Sequence, residues 1–201
     1  MYSEVKEYLS KRLSPKRYQH TLSVARECLY YADIFSLSEA DRHKLYLAAL
    51  FHDITKENTP EEHIEMCRVY RIEYNEAYLS TPALFHALTG ACFAAEAFPS
   101  LCTAEISDLI STHTAGCENM SLMQKILYTA DYTEPLRKHQ SCVMLRNFFR
   151  SGLHQTDPLL LLDRTVLMSL DNTMSHLIET RCPIDLQTVK ARNYLLKQTR
   201  L

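Results

Sequence analysis

The sequence predicts an all-α fold, and three features of its 201 residues lead to that prediction. Glycine occurs only 3 times, whereas sheets joined by tight turns consume many glycines. Helix-start signals such as Ser-Pro, Thr-Pro and Ser-x-x-Gln recur along the chain with short breaks between them. Strand-like alternation of apolar and polar residues is essentially absent. We therefore expect one helical bundle of about eight to ten helices.

The predicted helices follow one another from these signals in chain order. Ser14-Pro15 and Ser38 open the first two, and Thr59-Pro60 and Thr81-Pro82 open the next two. The expected ranges are 14–35, 38–53, a helix from 59, then 81–98, 103–113, 121–131, 140–151, 156–179 and 186–198. Because no linker or repeat interrupts them, we interpret 1–201 as one domain in which 151–201 completes the bundle.

Composition and charge exclude several classes of protein. The formal net charge of −2 gives no basic field to attract nucleic acid. No apolar run approaches the roughly 20 residues of a membrane span, and the N-terminus lacks the apolar region of a signal peptide, so we expect a cytoplasmic protein. Neither G-x-G-x-x-G nor a P-loop is present. The 7 cysteines form no C-x-x-C pair, which predicts free thiols rather than disulfides or a cysteine zinc site.

The most informative feature is a set of ionisable residues on apolar faces of the predicted helices. Its members are His20, His52, Asp53, His86, His113 and Asp131. His113 continues the apolar face of its helix, and Asp131 lies four residues after Leu127 on the apolar stripe of the next. Buried carboxylates need compensation, and imidazole with carboxylate is a metal-ligand combination. The residues alone leave two interpretations open, a shared metal centre or separate hydrogen-bonded core residues.

The other histidines lack this context, and we predict that they are surface or helix-face residues. They are His43, His63, His139, His154 and His176.

The candidate residues lie in five short motifs with a recognisable order. They are R-Y-Q-H at 17–20, F-H-D-I-T-K at 51–56, L-F-H-A-L-T-G-A at 84–91, S-T-H-T-A-G at 111–116 and Y-T-A-D-Y-T-E-P-L-R at 128–137. The ordered set resembles the HD-domain metal-dependent phosphohydrolases. The context around His113 and Asp131 resembles their YqeK-like branch, the bacterial symmetrical bis(5'-nucleosyl)-tetraphosphatases. The resemblance covers roughly 14–150 and implies that this part is the metal-binding catalytic core of an HD-domain bundle.

The resemblance also implies a role for each matched residue. The residues that match the ligands of a first metal are His20, His52, Asp53 and Asp131. Those that match the ligands of a second metal are His86 and His113, with Asp53 bridging the two ions. The implied catalytic residues are Asp53 and Lys56, and the implied substrate-binding residues are Arg17, Lys56, Thr114 and Arg137.

The implied cofactor is a pair of metal ions, with iron expected and manganese, cobalt or zinc as alternatives. The implied reaction splits diadenosine tetraphosphate into two ADP molecules by attack of a metal-activated hydroxide. The partner is then a nucleotide, not a nucleic acid or a membrane, and apolar faces after residue 150 allow a homodimer. Three alternatives remain: another HD-type nucleotide phosphohydrolase, a non-catalytic nucleotide-binding regulator, and a purely structural bundle with core histidines.

Overall fold

The regular secondary structure is entirely helical in the computed structural model, which describes residues 2–199. The α-helices of this range are α1 (Tyr2–Arg12), α2 (Pro15–Ile34), α3 (Glu39–Phe51), α4 (Pro60–Tyr70), α5 (Glu76–Ser80), α6 (Phe85–Ala97), α7 (Ala104–Thr112), α8 (Leu122–Thr133), α9 (Gln140–Gly152), α10 (Pro158–Glu179) and α11 (Leu186–Gln198). A 3₁₀-helix, Pro82–Leu84, precedes α6. The predicted all-α class is confirmed, and the described range contains two α-helices, α1 and α5, beyond those predicted.

The start of α6 differs from its prediction. The sequence places it at Thr81-Pro82, but the α-helix begins only at Phe85. The Thr81 side chain forms no capping hydrogen bond, and the chain first makes the short 3₁₀ turn. His86 consequently lies in the first turn of α6 rather than in its middle.

Side-chain caps fix the starts of several other helices. Thr59 with Glu62 and Ser121 with Gln124 form reciprocal capping boxes. In the second box, the Ser121 hydroxyl accepts from the Gln124 N–H at 3.3 Å, and Gln124 Oε1 accepts from the Ser121 N–H at 2.7 Å. A cap of this kind is typically worth about 1 kcal/mol.

The second half of α3 is the centre of the bundle. Leu45, Leu47, Leu50 and Phe51 are fully buried, because α2, α7, α8 and α6 all pack around this helix. A helix that is apolar nearly all round is stable only inside a core. The residues that follow Phe51 therefore emerge in the interior of the protein.

The remaining helices extend the same core. On α1, Val5 and Leu9 are fully buried, and on α10, Leu162 and Val166 are fully buried. Leu195 of α11 belongs to the same cluster of apolar side chains. No helix within residues 2–199 is long and apolar enough to cross a lipid bilayer.

Gly90 on α6 allows this helix to approach the turn after α3 closely. A Cβ atom at this position would lie 3.3 Å from Thr55 Oγ1 and 3.6 Å from Ile54 Cγ2. These distances are at or below ordinary van der Waals contact, so a Cβ atom at this position would be crowded. Because glycine has no Cβ, the backbone of α6 can lie directly against the turn. The Thr55 hydroxyl also donates to the His86 carbonyl oxygen at 3.1 Å, which fixes the two segments together.

Candidate metal centre

Five helices bring the six predicted ligand residues to one place in the interior. His20 comes from α2, His52 and Asp53 follow the last residue of α3, and His86 lies in the first turn of α6. His113 directly follows α7, and Asp131 lies in the last turns of α8. The side chains of His52 and Asp53 are respectively 0% and 4% exposed, so the cluster is largely screened from solvent.

The first group surrounds one oxygen of Asp53. Oδ2 of Asp53 lies 3.3 Å from Nε2 of His52 and 3.5 Å from Nε2 of His20. Oδ1 of Asp131 lies 2.9 Å from Nε2 of His20 and 3.8 Å from Nε2 of His52. Two imidazoles and two carboxylates therefore face one another.

The second group surrounds the other oxygen of Asp53. Oδ1 of Asp53 lies 3.3 Å from Nε2 of His86, which lies 3.0 Å from Nε2 of His113. The potential ligand atoms of these three residues all lie within 4.8 Å of one another, and the same holds for His20, His52 and Asp53. Asp53 is thus common to both groups and presents one oxygen to each.

Hydrogen bonds at Nδ1 orient the histidines so that Nε2 points into the cluster. For His52, His86 and His113, Nδ1 lies 2.7, 2.5 and 2.6 Å from the carbonyl oxygens of Ala49, Ala83 and Ile110, respectively. A carbonyl oxygen can only accept, so Nδ1 carries the proton and Nε2 keeps its lone pair. This is the arrangement of metal-ligating histidines, whose second nitrogen is held by a carbonyl or a carboxylate.

The histidine pKa values differ between the two groups. Burial lowers the pKa of His86 well below its ordinary value and that of His113 to about 4, so both are neutral imidazoles near pH 7. Burial also acts to lower the pKa of His20, but hydrogen bonds to Asp131 and Glu134 outweigh it and raise the value to about 9. A cation at Nε2 of His20 would take the place of that proton.

Both aspartates remain ionised. Burial by itself would raise the pKa of Asp53, but the neighbouring His52 outweighs burial and holds the pKa well below its ordinary value. The pKa of Asp131 is likewise well below its ordinary value, because the opposing effect of Arg137 outweighs burial. The cluster therefore concentrates two negative charges in a low-dielectric interior, where nearby cations stabilise them.

The donor set fits a divalent metal. Nε2 of His52 is buried and has no hydrogen-bond partner among residues 2–199, although it faces two carboxylates. Neutral imidazole and carboxylate are the ligands of zinc, iron, manganese and similar ions, and the cluster contains no thiolate. The residues present could hold a metal at either group.

Glu134 is a residue of this site that the sequence prediction did not assign. It directly follows α8 and is 1% exposed, and its Oε1 lies 3.0 Å from Nδ1 of His20. Its Oε2 accepts from the Leu136 N–H at 2.6 Å, which fixes the carboxylate. Glu134 lies inside the D-Y-T-E-P-L-R motif, but nothing in its spacing indicates that it turns back towards His20.

We predict that Glu134→Gln weakens metal binding and lowers activity by about 10- to 100-fold, the usual effect of changing a group that orients a ligand. The amide keeps the shape but loses the charge that holds the His20 ring. Metal content after dialysis and turnover measure the two effects. Glu65→Gln, at an exposed glutamate paired with Arg68, serves as the matched control. Wild-type metal affinity in Glu134→Gln would contradict the positioning role.

Arg146 on α9 holds the segment that carries Glu134. Its guanidinium donates to the carbonyl oxygens of Thr133, Glu134 and Arg137 at 2.6, 2.7 and 2.8 Å. The sequence gives no sign of this role, because carbonyl groups are common to every residue.

The predicted substrate-binding residues lie around the cluster. Arg17 Nη1 donates to Asp53 Oδ2 at 2.7 Å, and Arg137 Nη2 donates to Asp131 Oδ1 at 2.6 Å. Both arginines are partly exposed, at 28% and 35%, and so connect the buried carboxylates with the surface. The four predicted positions, Arg17, Lys56, Thr114 and Arg137, therefore border either the first or the second group.

Lys56 and Thr114 border the second group. Lys56 Nζ lies 3.2 and 3.3 Å from the two ring nitrogens of His86, and burial lowers the pKa of this lysine. The Thr114 hydroxyl lies 3.2 Å from Nε2 of His113 and 3.3 Å from Nε2 of His86. A cation and a hydroxyl are thus placed where a phosphate bound at the second group could reach them.

The surface prediction for His63 was wrong. His63 on α4 is 3% exposed, its ring stacks on Phe85, and Nδ1 lies 2.9 Å from the Thr89 hydroxyl. The prediction failed because glutamates surround His63 in the sequence, whereas α6 packs over the face of α4 that carries His63 and Cys67. His63 belongs to the support behind His86 rather than to the ligand cluster.

The helical fold and the paired His/Asp groups define the class of HD-domain, metal-binding hydrolases. The chain belongs to the HD domain family, whose model matches residues 17–136. A symmetrical bis(5'-nucleosyl)-tetraphosphatase of Bacillus subtilis is 31% identical over 94% of both chains. A protein of the same name from Halalkalibacterium halodurans is 30% identical over 92% of this chain and 91% of its own.

A solved structure shows the same fold. A crystal structure from Clostridium acetobutylicum, described as a predicted HD superfamily hydrolase involved in NAD metabolism, superimposes with a TM-score of 0.85. Its sequence is 30% identical, and the alignment covers 98% of both chains.

Proposed function

We propose that this chain is a symmetrical bis(5'-nucleosyl)-tetraphosphatase that hydrolyses diadenosine tetraphosphate to two ADP molecules. The observation that carries the proposal is the Asp53 carboxylate, which presents one oxygen to each of two His/Asp groups. Such a shared carboxylate is suited to a two-ion centre for phosphoryl chemistry. The names of the Bacillus and Halalkalibacterium relatives supply the substrate and the position of cleavage.

The proposed cofactor is a pair of ions, and we propose iron because imidazole and carboxylate ligands without thiolate suit it. The residues that would hold the first ion are His20, His52, Asp53 and Asp131, and those for the second are His86, His113 and Asp53. When bound, such ions lower the pKa of water and neutralise phosphate charge. Metal analysis of the purified protein tests the identity of the ion, and manganese, cobalt and zinc are the competing results.

In the proposed reaction, a water oxygen bonds to one inner phosphorus while the bond from that phosphorus to the central bridging oxygen breaks. Each product is ADP, and the proton lost by water is released to solvent. Lys56, Arg17 and Arg137 provide positive charge around the phosphates, and preorganised charge is most effective in a site screened from water. The Thr114 hydroxyl can donate to a phosphate oxygen.

We predict that Lys56→Met lowers turnover by at least about tenfold while the metal content stays that of the wild type. Methionine keeps the apolar stem but removes the charge next to the phosphates, and one charge-assisted hydrogen bond is worth about 1.5–3 kcal/mol. Steady-state kinetics and metal analysis on the same preparation measure both. Lys190→Met, at an exposed lysine on α11, is the control. Loss of metal from Lys56→Met would make the lysine a structural residue instead.

The proposed substrate class is tested by comparing turnover of diadenosine tetraphosphate, NAD, ATP and AMP at equal concentration, with and without chelator. We expect diadenosine tetraphosphate to be turned over fastest and chelator to abolish the reaction. Faster turnover of NAD would agree with the description of the Clostridium structure and reject the tetraphosphatase. Faster turnover of ATP or AMP would favour another HD-type phosphohydrolase, and binding without turnover would favour a regulator.

A further inference from the structure

A large groove opens beside the first group of ligands. Its volume is about 760 Å³, and it lies between the N-terminus of α2 and the segment that follows α8. The cations on its walls are Lys16, Arg17, Arg137 and Lys138, with Gln19 and His139 beside them. We call it the basic groove.

Much of the positive charge in the basic groove is available to a ligand. Lys16 and Lys138 form no ion pair with any carboxylate of residues 2–199, and Lys138 Nζ reaches only the Pro135 carbonyl oxygen at 3.3 Å. The carboxylates that line the groove are already engaged: Glu57 accepts from Ser14, and Glu134 holds His20. A chain with a net charge of −2 therefore presents a positive surface beside its metal centre.

A second pocket adjoins the basic groove at His139, which lines both. Its volume is about 430 Å³, and its wall is one face of α10. The side chains of that face are Asn172, Thr173, Ser175, His176 and Glu179, and they are opposed by Tyr132 and Ser141. We call it the polar pocket. It offers hydrogen-bond donors and acceptors together with aromatic rings, and no lysine or arginine.

The opposite side of the metal centre has much less room. The cavity lined by Lys56, His63 and His86 has a volume of about 130 Å³. Pockets that enclose ligands of nucleoside size or larger have volumes of about 300–1,000 Å³. The basic groove and the polar pocket offer a nucleoside the room that this cavity lacks.

We propose that the polar pocket binds a nucleoside of the substrate and that the basic groove binds the phosphates between that nucleoside and the metal centre. This inference rests on the proposed function, because it divides a nucleoside polyphosphate into its charged and neutral parts. The two cavities match those parts in order: cations lie next to the ligand cluster, and beyond His139 the wall is made of uncharged hydrogen-bonding side chains, with Glu179 at its far end and no lysine or arginine. The proposal gives α10, which lies after residue 150, a direct part in substrate binding.

The polar pocket is tested by measuring the affinity of metal-loaded protein for ADP and for inorganic pyrophosphate, which lacks the nucleoside. Asn172→Leu replaces an amide of the pocket wall by a branched apolar side chain, and we expect it to weaken ADP binding about tenfold. Its affinity for pyrophosphate should stay within twofold of the wild type. Asn193→Leu, at an exposed asparagine on α11, is the matched control. Ser175→Leu, at a second exposed position of the pocket, should give the same result.

A substitution in the basic groove should lower the affinities for ADP and for pyrophosphate equally, unlike a substitution in the polar pocket. Lys138→Met should weaken ADP and pyrophosphate alike, by about three- to fivefold for an exposed charge, with Lys190→Met as its control. Metal content is measured in every sample after titration. Unchanged ADP affinity in both Asn172→Leu and Ser175→Leu, or an equal loss of ADP and pyrophosphate affinity in them, would overturn the assignment of the polar pocket.

Failure of this inference is distinguishable from failure of the proposed function. If the wild type does not cleave diadenosine tetraphosphate but Asn172→Leu still lowers ADP affinity alone, the pocket is correct and the substrate is wrong. If the wild type cleaves it and the variants bind ADP normally, the substrate is correct and the pocket is wrong.

Discussion

Asp53→Ala is expected to abolish hydrolysis and to remove bound metal. Asp53 is the residue common to both ligand groups, so its loss takes one carboxylate oxygen from each of them. The remaining histidines of the second group would then hold a cation without any carboxylate, and ligand charge is a main source of affinity. Metal equivalents per chain and turnover should both fall to background in the same preparation.

A loss of folding has to be separated from this effect. Asp53 is buried and pairs with Arg17, so its replacement by alanine leaves the Arg17 guanidinium without its carboxylate partner and destabilises the fold. Asp53→Asn preserves the shape, and a helical circular dichroism spectrum would show that it is folded. Asp33→Ala, at an exposed aspartate paired with Arg42, is the control. An Asp53→Asn protein that is folded, loaded with metal and active would contradict the shared role of this carboxylate.

His113→Ala should separate the two groups. His113 contributes only to the second group, where its Nε2 lies 3.0 Å from that of His86. We expect the metal content to fall from two equivalents per chain to one. We also expect turnover to fall by at least about 100-fold, which is a larger loss than the substitution of a residue that only orients a ligand usually causes. Metal analysis and kinetics measure these quantities on one sample.

The control for His113→Ala is His154→Ala, at an exposed histidine between α9 and α10. It should keep both the metal content and the activity of the wild type. Complete loss of metal from a folded His113→Ala protein would mean that the two groups bind ions as one unit. Unchanged metal content would show that His113 is a hydrogen-bonded core residue.

The ligand cluster could be predicted because the periodicity of apolar residues along a helix indicates which of its faces is buried. His113 and Asp131 continue apolar stripes, and the second half of α3, buried except for part of Tyr46, determines where His52 and Asp53 emerge. No single helix indicates that the six ligand residues lie close together in the folded protein. The ordered set of motifs made that connection, and the structure brings all six residues together.

Residues that act through backbone or tertiary contacts could not be predicted in the same way. Arg146 binds three carbonyl oxygens of a neighbouring segment, and His63 is buried by a helix that packs across α4. Neither residue's contact partners lie next to it in the sequence, so the local pattern of apolar and polar residues gives no sign of either contact. The start of α6 was misplaced for a local reason, because Thr-Pro can begin a 3₁₀ turn as well as an α-helix.

The central claim is symmetrical cleavage at the centre formed around Asp53, and the products of diadenosine tetraphosphate test it most directly. Metal-loaded wild-type protein is incubated with this substrate, and the nucleotides are separated by chromatography. The account predicts ADP as the only product and no reaction in the presence of chelator. ATP together with AMP would contradict symmetrical cleavage.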